Sequence, residues 1–369
     1  MFPFTTLLIS IGAISGIATF LAILMVIADS TIANYGNVKI TANGEKEYEV
    51  RGGRTLLSTL MGEKVFIPSA CGGRGSCGLC KVKVTKGAGG LLPTELPWLS
   101  EEERTDGTRL SCQIKVKNDI EISIPEELFS VQQYTARVRR IRDLTHDIKE
   151  LSLDLIEPET IELTAGQFVQ IQTPEYELTD EPVYRAYSVS SPPSVTNAVE
   201  IEVRRVPNGI CTTYVHDYLK EGDELILNGP YGEFYLRDTQ RDVVCIAGGS
   251  GMAPLKAILH DMLDRGVNRQ VRYFFGAVTK RDLFLVDEMK EMEAKLPNFA
   301  FIPALSAPAP EDGWEGETGL ITEVLDRHLA SGDNLEAYLC GSPGMIDACV
   351  KVLRDKGMPE ELIYYDKFA

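Results

Sequence analysis

The sequence predicts a multidomain protein of the α+β and α/β classes, preceded by an apolar helix. Three observations support this: an uncharged run near the N-terminus, a strand-rich middle, and a last third in which strands and helices alternate. At about 150 residues per domain, 369 residues make two to three domains. We expect an apolar helix at 2–28, a β-grasp domain at 36–130, an antiparallel β-barrel at 131–239 and a parallel-sheet α/β domain at 240–369.

The composition narrows the classes of function. Hydrophobic residues make up 44% of the chain and charged residues 25%, which is ordinary for globular proteins and excludes a disordered or fibrous chain. Acidic residues outnumber basic residues by 54 to 37, so the formal net charge is -17. A general nucleic-acid-binding protein needs a basic surface. We therefore expect no nucleic acid among the partners.

The run from Phe2 to Ala28 contains no charged residue. As a helix it would be about 40 Å long, more than the roughly 30 Å of a hydrocarbon core. A cleaved signal peptide is the main alternative, but it carries basic residues before a shorter apolar core, and none precedes this run. Basic residues follow it instead, beginning with Lys39, Lys46 and Arg51, which favours a cytoplasmic C-terminal side. We expect a single-pass protein of the inner (cytoplasmic) membrane with its soluble domains in the cytoplasm.

Four of the eight cysteines are spaced as C-x5-C-x2-C with a fourth further on, namely Cys71, Cys77, Cys80 and Cys112. Three thiolates in a glycine-rich loop and a distant fourth are typical of a [2Fe–2S] site, although the plant-type spacing begins C-x4-C. Structural zinc usually needs two separated C-x2-C pairs, and this cluster has one. Disulfides are rare in cytoplasmic proteins. The spacing therefore favours a [2Fe–2S] cluster.

The residues around these cysteines predict a β-grasp domain. Asn43-Gly44 lies between two short alternating segments, which is a strong hairpin signal. We expect a short helix at Thr55–Met61, and Ser100 with Glu103 forms a capping box that opens another. A last strand is expected at Ile120–Ile124.

The barrel region contains two motifs that suit a flavin. In the first, Arg185 offers a guanidinium fork to phosphate, Tyr187 offers a flat face, and Ser188 offers a hydroxyl for flavin N5. In the second, Gly209, Thr212 and Thr213 precede an expected helix at 214–219, and a helix N-terminus suits a pyrophosphate. Each motif alone is common. Together, in this order and within a predicted barrel, they indicate FAD.

The last third predicts a nucleotide-binding unit. An apolar strand at 243–247 runs into Gly248, Gly249 and Gly251 and then into an expected helix at 255–263. This is not the G-x-G-x-x-G pattern of a standard dinucleotide-binding dehydrogenase, and a plain tight turn is the alternative.

Two further segments of this region carry candidate residues. Cys340 and Gly341 follow another strand, where the cysteine either lies beside a nicotinamide or is a small buried residue. Near the chain end, Phe368 and its aromatic neighbours either form a last strand or supply a ring that stacks on the flavin.

In this order the motifs RAYS, GGSGMAP and CGSPGM, with Phe368 near the end, resemble the ferredoxin–NADP+ reductase superfamily. With a ferredoxin domain and one membrane helix in front, the chain is similar over its whole length to the F subunits of sodium-translocating NADH:quinone oxidoreductases. The segments GPYGEF and Pro310–Gly319 are particularly alike, whereas the stretch between Pro174 and Val183 is shorter than in that family.

The resemblance implies a role for each motif. The four clustered cysteines would bind the [2Fe–2S] cluster. The residues that would bind FAD are Arg185, Tyr187, Ser188, Gly209, Thr212 and Thr213. The residues that would bind NADH are Gly248, Gly249, Gly251, Cys340 and Gly341. Those next to the reacting atoms would be Tyr187, Ser188, Cys340 and Phe368, the last shielding the flavin ring until the nicotinamide displaces it.

The implied function is that of a membrane-anchored NADH dehydrogenase subunit. NADH gives two electrons at once and an iron–sulfur cluster accepts one at a time, so FAD has to lie between them. The implied partners are NADH, other membrane subunits of a respiratory complex and, indirectly, quinone. Two alternatives stay open: the NADH-dependent reductase component of a multicomponent oxygenase, and a non-enzymatic membrane-tethered ferredoxin or zinc protein.

Overall fold

The computed structural model describes residues 4–31 and 35–368. Its first element is one long helix, α1 (Phe4–Thr31), so the first two residues of the predicted helix at 2–28 lie outside the described part. Within α1 the window Ile9–Val26 has a mean hydropathy of 2.3 and none of it is buried. At 1.5 Å per residue the helix is about 42 Å long. It is long and apolar enough to cross a membrane.

The described chain divides into two compact units. The first contains the segments up to Ile67 and Gly78–Phe129, and the second contains Pro68–Cys77 and everything from Ser130 onward. The loop with the first two clustered cysteines therefore belongs to the second unit.

The first unit holds a five-stranded mixed sheet with the strand order β2-β1-β5-β3-β4. Its strands are β1 (Asn37–Ala42), β2 (Lys46–Arg51), β3 (Lys81–Lys86), β4 (Thr108–Leu110) and β5 (Ile120–Ser123). Two short helices accompany them, α2 (Leu56–Gly62) and α3 (Glu101–Thr105). The first strand pairs with β2 antiparallel and with β5 parallel. This is the β-grasp arrangement predicted from the sequence, with β3 and β4 in addition.

Local sequence explains the starts and turns of these elements. Asn43 and Gly44 both have positive φ, 53° and 75°, as a tight two-residue hairpin turn requires. Ser100 accepts a hydrogen bond from the Glu103 backbone while the Glu103 carboxylate accepts one from the Ser100 backbone, so the predicted capping box is present. Thr55 caps α2 in the same region of the chain.

One buried ion pair organises the loops of the first unit. Arg109 donates to both carboxylate oxygens of Glu95, at 2.7–3.1 Å, and the two side chains are 8% and 0% exposed. The guanidinium also donates to the carbonyls of Gly89 and Gly90. Burial alone would raise the pKa of Glu95, but its hydrogen bonds with Arg109 and two backbone amides outweigh burial and lower it. The carboxylate is therefore held in its charged form.

We predict that Glu95→Gln destabilises the first unit by about 3–5 kcal/mol, because it leaves the Arg109 charge buried without a counter-ion. Trp98 lies three residues from Glu95, so urea unfolding followed by its fluorescence reports on this unit once Trp314, the other tryptophan, is replaced by Phe. Glu47→Gln, in the exposed Lys39–Glu47 pair, is the matched control and should leave the transition unchanged. Equal midpoints for the two variants would contradict a structural role for the buried pair.

The second unit begins with an antiparallel barrel. The sheet has the order β10-β7-β6-β11-β8-β9. The strands are β6 (Gln132–Asp143), β7 (Ile148–Glu157), β8 (Phe168–Thr173), β9 (Val183–Ser188), β10 (Ala198–Arg204) and β11 (Glu224–Tyr231). A bridge between Val189 and Ile201 joins the two ends of this order, which closes the barrel. Helix α4 (Ile210–Thr213) continues into a wider turn at Tyr214–Tyr218.

The remainder of the second unit is an α/β layer structure around a parallel sheet of order β15-β14-β13-β12-β16-β17. Its strands are β12 (Asp242–Gly248), β13 (Val271–Ala277), β14 (Phe299–Leu305), β15 (Glu317–Thr318), β16 (Leu335–Gly341) and β17 (Ile363–Lys367). Its helices are α5 (Met252–Asp264), α6 (Val286–Lys295), α7 (Ile321–His328) and α8 (Pro343–Asp355). The chain end is therefore a strand, one of the two outcomes expected for its aromatic residues.

One expected boundary was wrong. The sequence placed a helix at 214–219, but the helical segment already begins at Ile210 with Gly209 as its N-cap. The Thr212 hydroxyl accepts from the Val206 backbone and stabilises this early start. Thr212 and Thr213 therefore lie inside the first helical turn and do not precede it.

Candidate functional site

A cavity of about 440 Å³ lies between the barrel and the α/β layer of the second unit. We call it the barrel cavity. Its lining residues from the barrel are Arg185–Ser188, Glu202, Arg204, Gly209 and Thr212. Those from the α/β layer are Gly248, Ser250, Gly341, Ser342 and Phe368. The loop around Cys71 and Cys77 adds Ala70 and Arg74. Most of the residues predicted to bind FAD therefore share one cavity. Thr213 is not among its lining residues.

The RAYS segment forms the end of β9 and presents three kinds of group to this cavity. The Arg185 guanidinium donates to the Tyr184 carbonyl at 2.7 Å, which leaves its other N–H groups for a ligand. The Tyr187 hydroxyl is buried and has no hydrogen-bond partner in the described part of the chain, and burial raises its pKa well above the ordinary value. Ser188 is 5% exposed at the cavity wall. A cation, a neutral phenol and a hydroxyl thus converge here.

Arg74 and Arg204 line the same cavity but were not predicted from the sequence. Arg74 lies in the cysteine loop, where it is one polar residue among glycines. Arg204 is the last residue of β10, and its Nε–H donates to the Asp147 carboxylate at 2.8 Å. A Cβ at Gly249 would lie 3.1 Å from the Nη1 atom of Arg204, so the Arg204 guanidinium reaches the glycine-rich turn. Three guanidinium groups around one cavity suit an anionic ligand such as a pyrophosphate.

A second cavity, of about 560 Å³, follows the carboxyl ends of β12 and β13. We call it the sheet-edge cavity. Its lining includes Gly248 and Gly249, Thr279, Arg281 and Asp282. It shares Arg204, Gly248 and Ser342 with the barrel cavity. Ligands of open α/β sheets bind at this edge, and two neighbouring spaces with a common wall can hold the two ends of a dinucleotide.

The glycine-rich turn depends on the absence of a side chain at Gly251. A Cβ there would lie 2.2 Å from the Cys340 carbonyl oxygen, which is backbone and cannot move freely. Gly251 lines neither cavity. Its close approach to β16 sets where helix α5 begins, and thereby positions the amides of Gly248 and Gly249.

Cys340 is fully buried, and its side chain belongs to the apolar core of the α/β layer. It is not among the lining residues of the barrel cavity, although Gly341 and Ser342 are. Burial raises the pKa of the Cys340 thiol well above its ordinary value. Phe368, by contrast, lines the cavity, and its backbone N–H donates to the Gly341 carbonyl at 2.9 Å.

The clustered cysteines form two close pairs, each within its own unit. In the second unit the Cys71 and Cys77 sulfurs lie 3.4 Å apart, and their hydrogen bond lowers the pKa of Cys71 to about 4. In the first unit the hydrogen bond with Cys112, together with burial, raises the pKa of Cys80. Within the part of the chain that is described, no group of three or more His, Cys, Asp or Glu side chains has the arrangement of a single-ion site.

A buried ion cluster lies beside the barrel cavity. The Lys256 ammonium on α5 is 5% exposed and lies within 3.4–3.6 Å of Glu150, Glu200 and Glu288. Burial by itself would lower the pKa of Lys256, but the surrounding carboxylates outweigh burial and raise it. The cluster joins strands β7 and β10 of the barrel to α5 and α6 of the α/β layer.

Comparison with known proteins agrees with this geometry. A 2Fe-2S iron-sulfur cluster binding domain matches residues 40–117, an oxidoreductase FAD-binding domain matches 135–235, and an oxidoreductase NAD-binding domain matches 245–351. Among solved structures, the Amycolatopsis cytochrome P450 reductase GcoB is similar with a TM-score of 0.72 and 29% identity, over 90% of this chain and 98% of that one. The ferredoxin reductase in carbazole 1,9a-dioxygenase is similar with a TM-score of 0.69 and 27% identity, over 90% and 99%.

Two curated relatives are similar to this chain over nearly its whole length. The F subunit of the Na(+)-translocating NADH-quinone reductase of Neisseria meningitidis (serogroup C, strain FAM18) is 37% identical over 96% of this chain and 97% of its own length. The corresponding protein of Actinobacillus succinogenes is 35% identical over 97% and 98%.

Fold, cavities and domain matches together define an oxidoreductase that uses NAD, FAD and a [2Fe–2S] cluster. Within that class, the chain belongs to the family formed by the F subunits of Na(+)-translocating NADH-quinone reductases. The sequence resemblance to that family is thereby confirmed. Membership of this family and the apolar helix α1 make the protein membrane-associated.

We predict that Gly251→Ala lowers the affinity for NAD+ at least tenfold and destabilises the second unit by about 1–3 kcal/mol, because the new methyl group must displace backbone. Gly344→Ala is the control, since a Cβ at that position meets nothing within 4 Å. Both variants are to be compared with the unaltered protein by calorimetric titration with NAD+ and by thermal unfolding. Unchanged affinity and stability in Gly251→Ala would show that the close approach to β16 is not required.

Proposed function

We propose that this protein is the electron-input subunit of a membrane complex, which passes electrons from NADH through FAD and a [2Fe–2S] cluster to a membrane acceptor. The observation that carries this is the shared wall of the two cavities, formed by Arg204, Gly248 and Ser342. It supports binding of the nicotinamide end of NADH in the same space as the flavin. FAD, when bound, supplies the step from two-electron to one-electron transfer.

The residues of the barrel cavity fit FAD. Arg185, Arg74 and Arg204 supply charge for the pyrophosphate, and the unpartnered Tyr187 hydroxyl and Ser188 supply polar contacts for the ring. The remaining predicted ligands are Gly209 and Thr212 at the helical start, with Thr213 in the same turn. Phe368 lines the cavity from the α/β side and can cover the ring. Burial of Cys340 supports a role through its backbone, next to Gly341.

The sheet-edge cavity fits the adenosine diphosphate part of NADH. Gly248 and Gly249 line it and offer backbone amides at the start of the helical region, with Gly251 setting their position. NADH is the substrate here, and the chain needs no acid–base residue to move its hydride. The task of these residues is to bind and orient the dinucleotide.

The four clustered cysteines are proposed as the ligands of the [2Fe–2S] cluster. Their spacing supports this, and so does the iron–sulfur domain match at 40–117, which contains all four. Each iron of such a cluster takes two ligands, and the cysteines occur as the pairs Cys71–Cys77 and Cys80–Cys112.

The apolar helix α1 and the family support a proposal for the cellular setting. We propose a single-pass protein of the inner membrane whose domains, at about 36–130, 131–239 and 240–369, face the cytoplasm. The relatives are subunits of a quinone reductase, which supports other membrane subunits as partners and quinone as the indirect acceptor. An ion path cannot be formed by one membrane helix, so sodium movement, where it occurs, belongs to the partner subunits.

The second candidate function is that of an oxygenase reductase. It is favoured by the likeness to GcoB and to the carbazole dioxygenase reductase, which extends over 90% of this chain. The uncharged helix α1 favours the membrane complex instead.

We predict that Cys77→Ala abolishes the visible absorbance of the oxidised cluster and the electron paramagnetic resonance signal of the reduced cluster. FAD content and NADH oxidation with ferricyanide should persist. The thiolate is needed as an iron ligand, whereas ferricyanide accepts electrons from the flavin. Cys349→Ala, which changes a buried cysteine of α8, is the control and should keep the cluster. A cluster signal that survives Cys77→Ala would remove this residue from the ligand set.

We predict that the full chain stays with the membrane fraction in high salt and in carbonate, and co-purifies with other membrane proteins in mild detergent. Ile14→Lys combined with Ile17→Lys should release most of it, since each lysine costs about 2.5–3.5 kcal/mol at the centre of a spanning helix. Ile14→Leu with Ile17→Leu is the matched control. A chain that is found in the soluble fraction without these changes would favour the oxygenase reductase.

A further inference from the structure

The carboxyl group of Glu202 is buried in the wall of the barrel cavity. Glu202 is 4% exposed, and neither of its carboxyl oxygens has a hydrogen-bond partner among the residues that the structure describes. Burying a polar group without a hydrogen bond is costly, so such a group at a cavity wall points to a ligand.

Strand β10 determines where this carboxyl group points. Val199, Ile201 and Val203 belong to the apolar core of the barrel. Because successive side chains of a strand alternate between its faces, Glu200, Glu202 and Arg204 lie on the opposite face. Arg204 and Glu202 both line the barrel cavity. The carboxyl group therefore faces the ligand space and not the barrel core.

The charged neighbours of Glu202 are already engaged with each other. Glu150 lies opposite it on β7 and is paired with Arg140, Arg142 and Lys256. Lys256 lies on α5, and its ammonium also contacts Glu200, on the same strand as Glu202, and Glu288, on α6. Burial outweighs the attraction of Lys256 and raises the pKa of Glu202 well above its ordinary value, and the Glu150 and Glu288 charges add to the rise. Its surroundings therefore favour the protonated, uncharged form of the carboxyl group.

A carboxylic acid offers one O–H donor and one carbonyl acceptor side by side. A primary carboxamide offers an N–H donor and a carbonyl acceptor in the same arrangement, so the two groups can form two hydrogen bonds at once. The same cavity is also lined by Gly248, Ser250, Gly341 and Ser342, at the carboxyl ends of β12 and β16. That is the edge at which a nucleotide binds in an α/β sheet.

We propose that the buried carboxyl group of Glu202 binds the carboxamide group of the nicotinamide ring and thereby orients that ring in the barrel cavity. This rests on the proposed function. It deepens that function, because it assigns recognition of the nicotinamide to the barrel, in addition to the glycine-rich turn that binds the rest of the dinucleotide.

Calorimetric titration of the detergent-solubilised, FAD-loaded full chain tests this with three ligands. These are NAD+, its 3-acetylpyridine analogue, in which a methyl group replaces the amide nitrogen, and ADP-ribose, which lacks the ring. We expect Glu202→Ala to weaken NAD+ binding about tenfold, as expected for the loss of one to two buried hydrogen bonds, and to leave ADP-ribose within about twofold. The preference of the unaltered protein for NAD+ over the analogue should disappear in this variant.

Two further variants control for charge and for folding. Glu202→Gln keeps a donor and an acceptor, so its affinity for NAD+ should stay within about threefold of the unaltered protein. Glu224→Gln, which changes an exposed barrel glutamate that is paired with Arg137 and lines neither cavity, should retain the preference for NAD+ over the analogue. Thermal unfolding of all three variants shows whether each is folded.

Specific outcomes would overturn the inference. Equal loss of NAD+ and ADP-ribose affinity in Glu202→Ala, or an unchanged preference over the analogue, would do so. Loss of bound FAD absorbance with unchanged NAD+ affinity per flavin would show that Glu202 serves the flavin. In these cases the proposed function stands. Absence of both FAD and NAD+ binding in the unaltered protein would overturn the proposed function itself.

Discussion

The buried ammonium of Lys256 is the interaction on which the arrangement of the second unit depends. An unpaired ammonium at 5% exposure would be strongly unfavourable, so Lys256 requires its three carboxylate contacts to be present together. Two of these carboxylates, Glu150 and Glu200, lie on the barrel, and the third, Glu288, lies on α6. The ion cluster therefore joins the barrel to the α/β layer, and residues of both line each cavity.

That position has a chemical consequence. Lys256 lies on α5, the helix that follows the glycine-rich turn, so the same contact that joins barrel and sheet also holds the start of the nucleotide site. The barrel cavity and the sheet-edge cavity then share a wall at Arg204, Gly248 and Ser342. In the function proposed above, the hydride donor occupies both spaces with its reactive end on the barrel side, where the flavin motifs are.

The predictions from sequence were most accurate where the signal was local. The hairpin at Asn43-Gly44 and the capping box of Ser100 with Glu103 depend on residues a few positions apart, and both are present. The start of the helical segment at Ile210 was missed because a side chain–backbone bond of Thr212 decides it. Strands β3 and β4 were not predicted, since β4 has only three residues and β3 is stabilised by its pairing with β4 and β5.

Taken alone, the sequence determined the order of the modules, the iron–sulfur spacing, the flavin and nucleotide motifs and the apolar helix, because each is written in a continuous stretch of chain. The tertiary structure decided which of these residues share a cavity. Cys340 is buried in the core, and Arg74 and Arg204 line the cavity that Arg185 lines. Glu202 lies in the same wall, and its carboxyl group has no hydrogen-bond partner among the described residues. The physical reason is that burial and hydrogen-bond satisfaction depend on all the elements packed around a side chain, and strands far apart in sequence supply them.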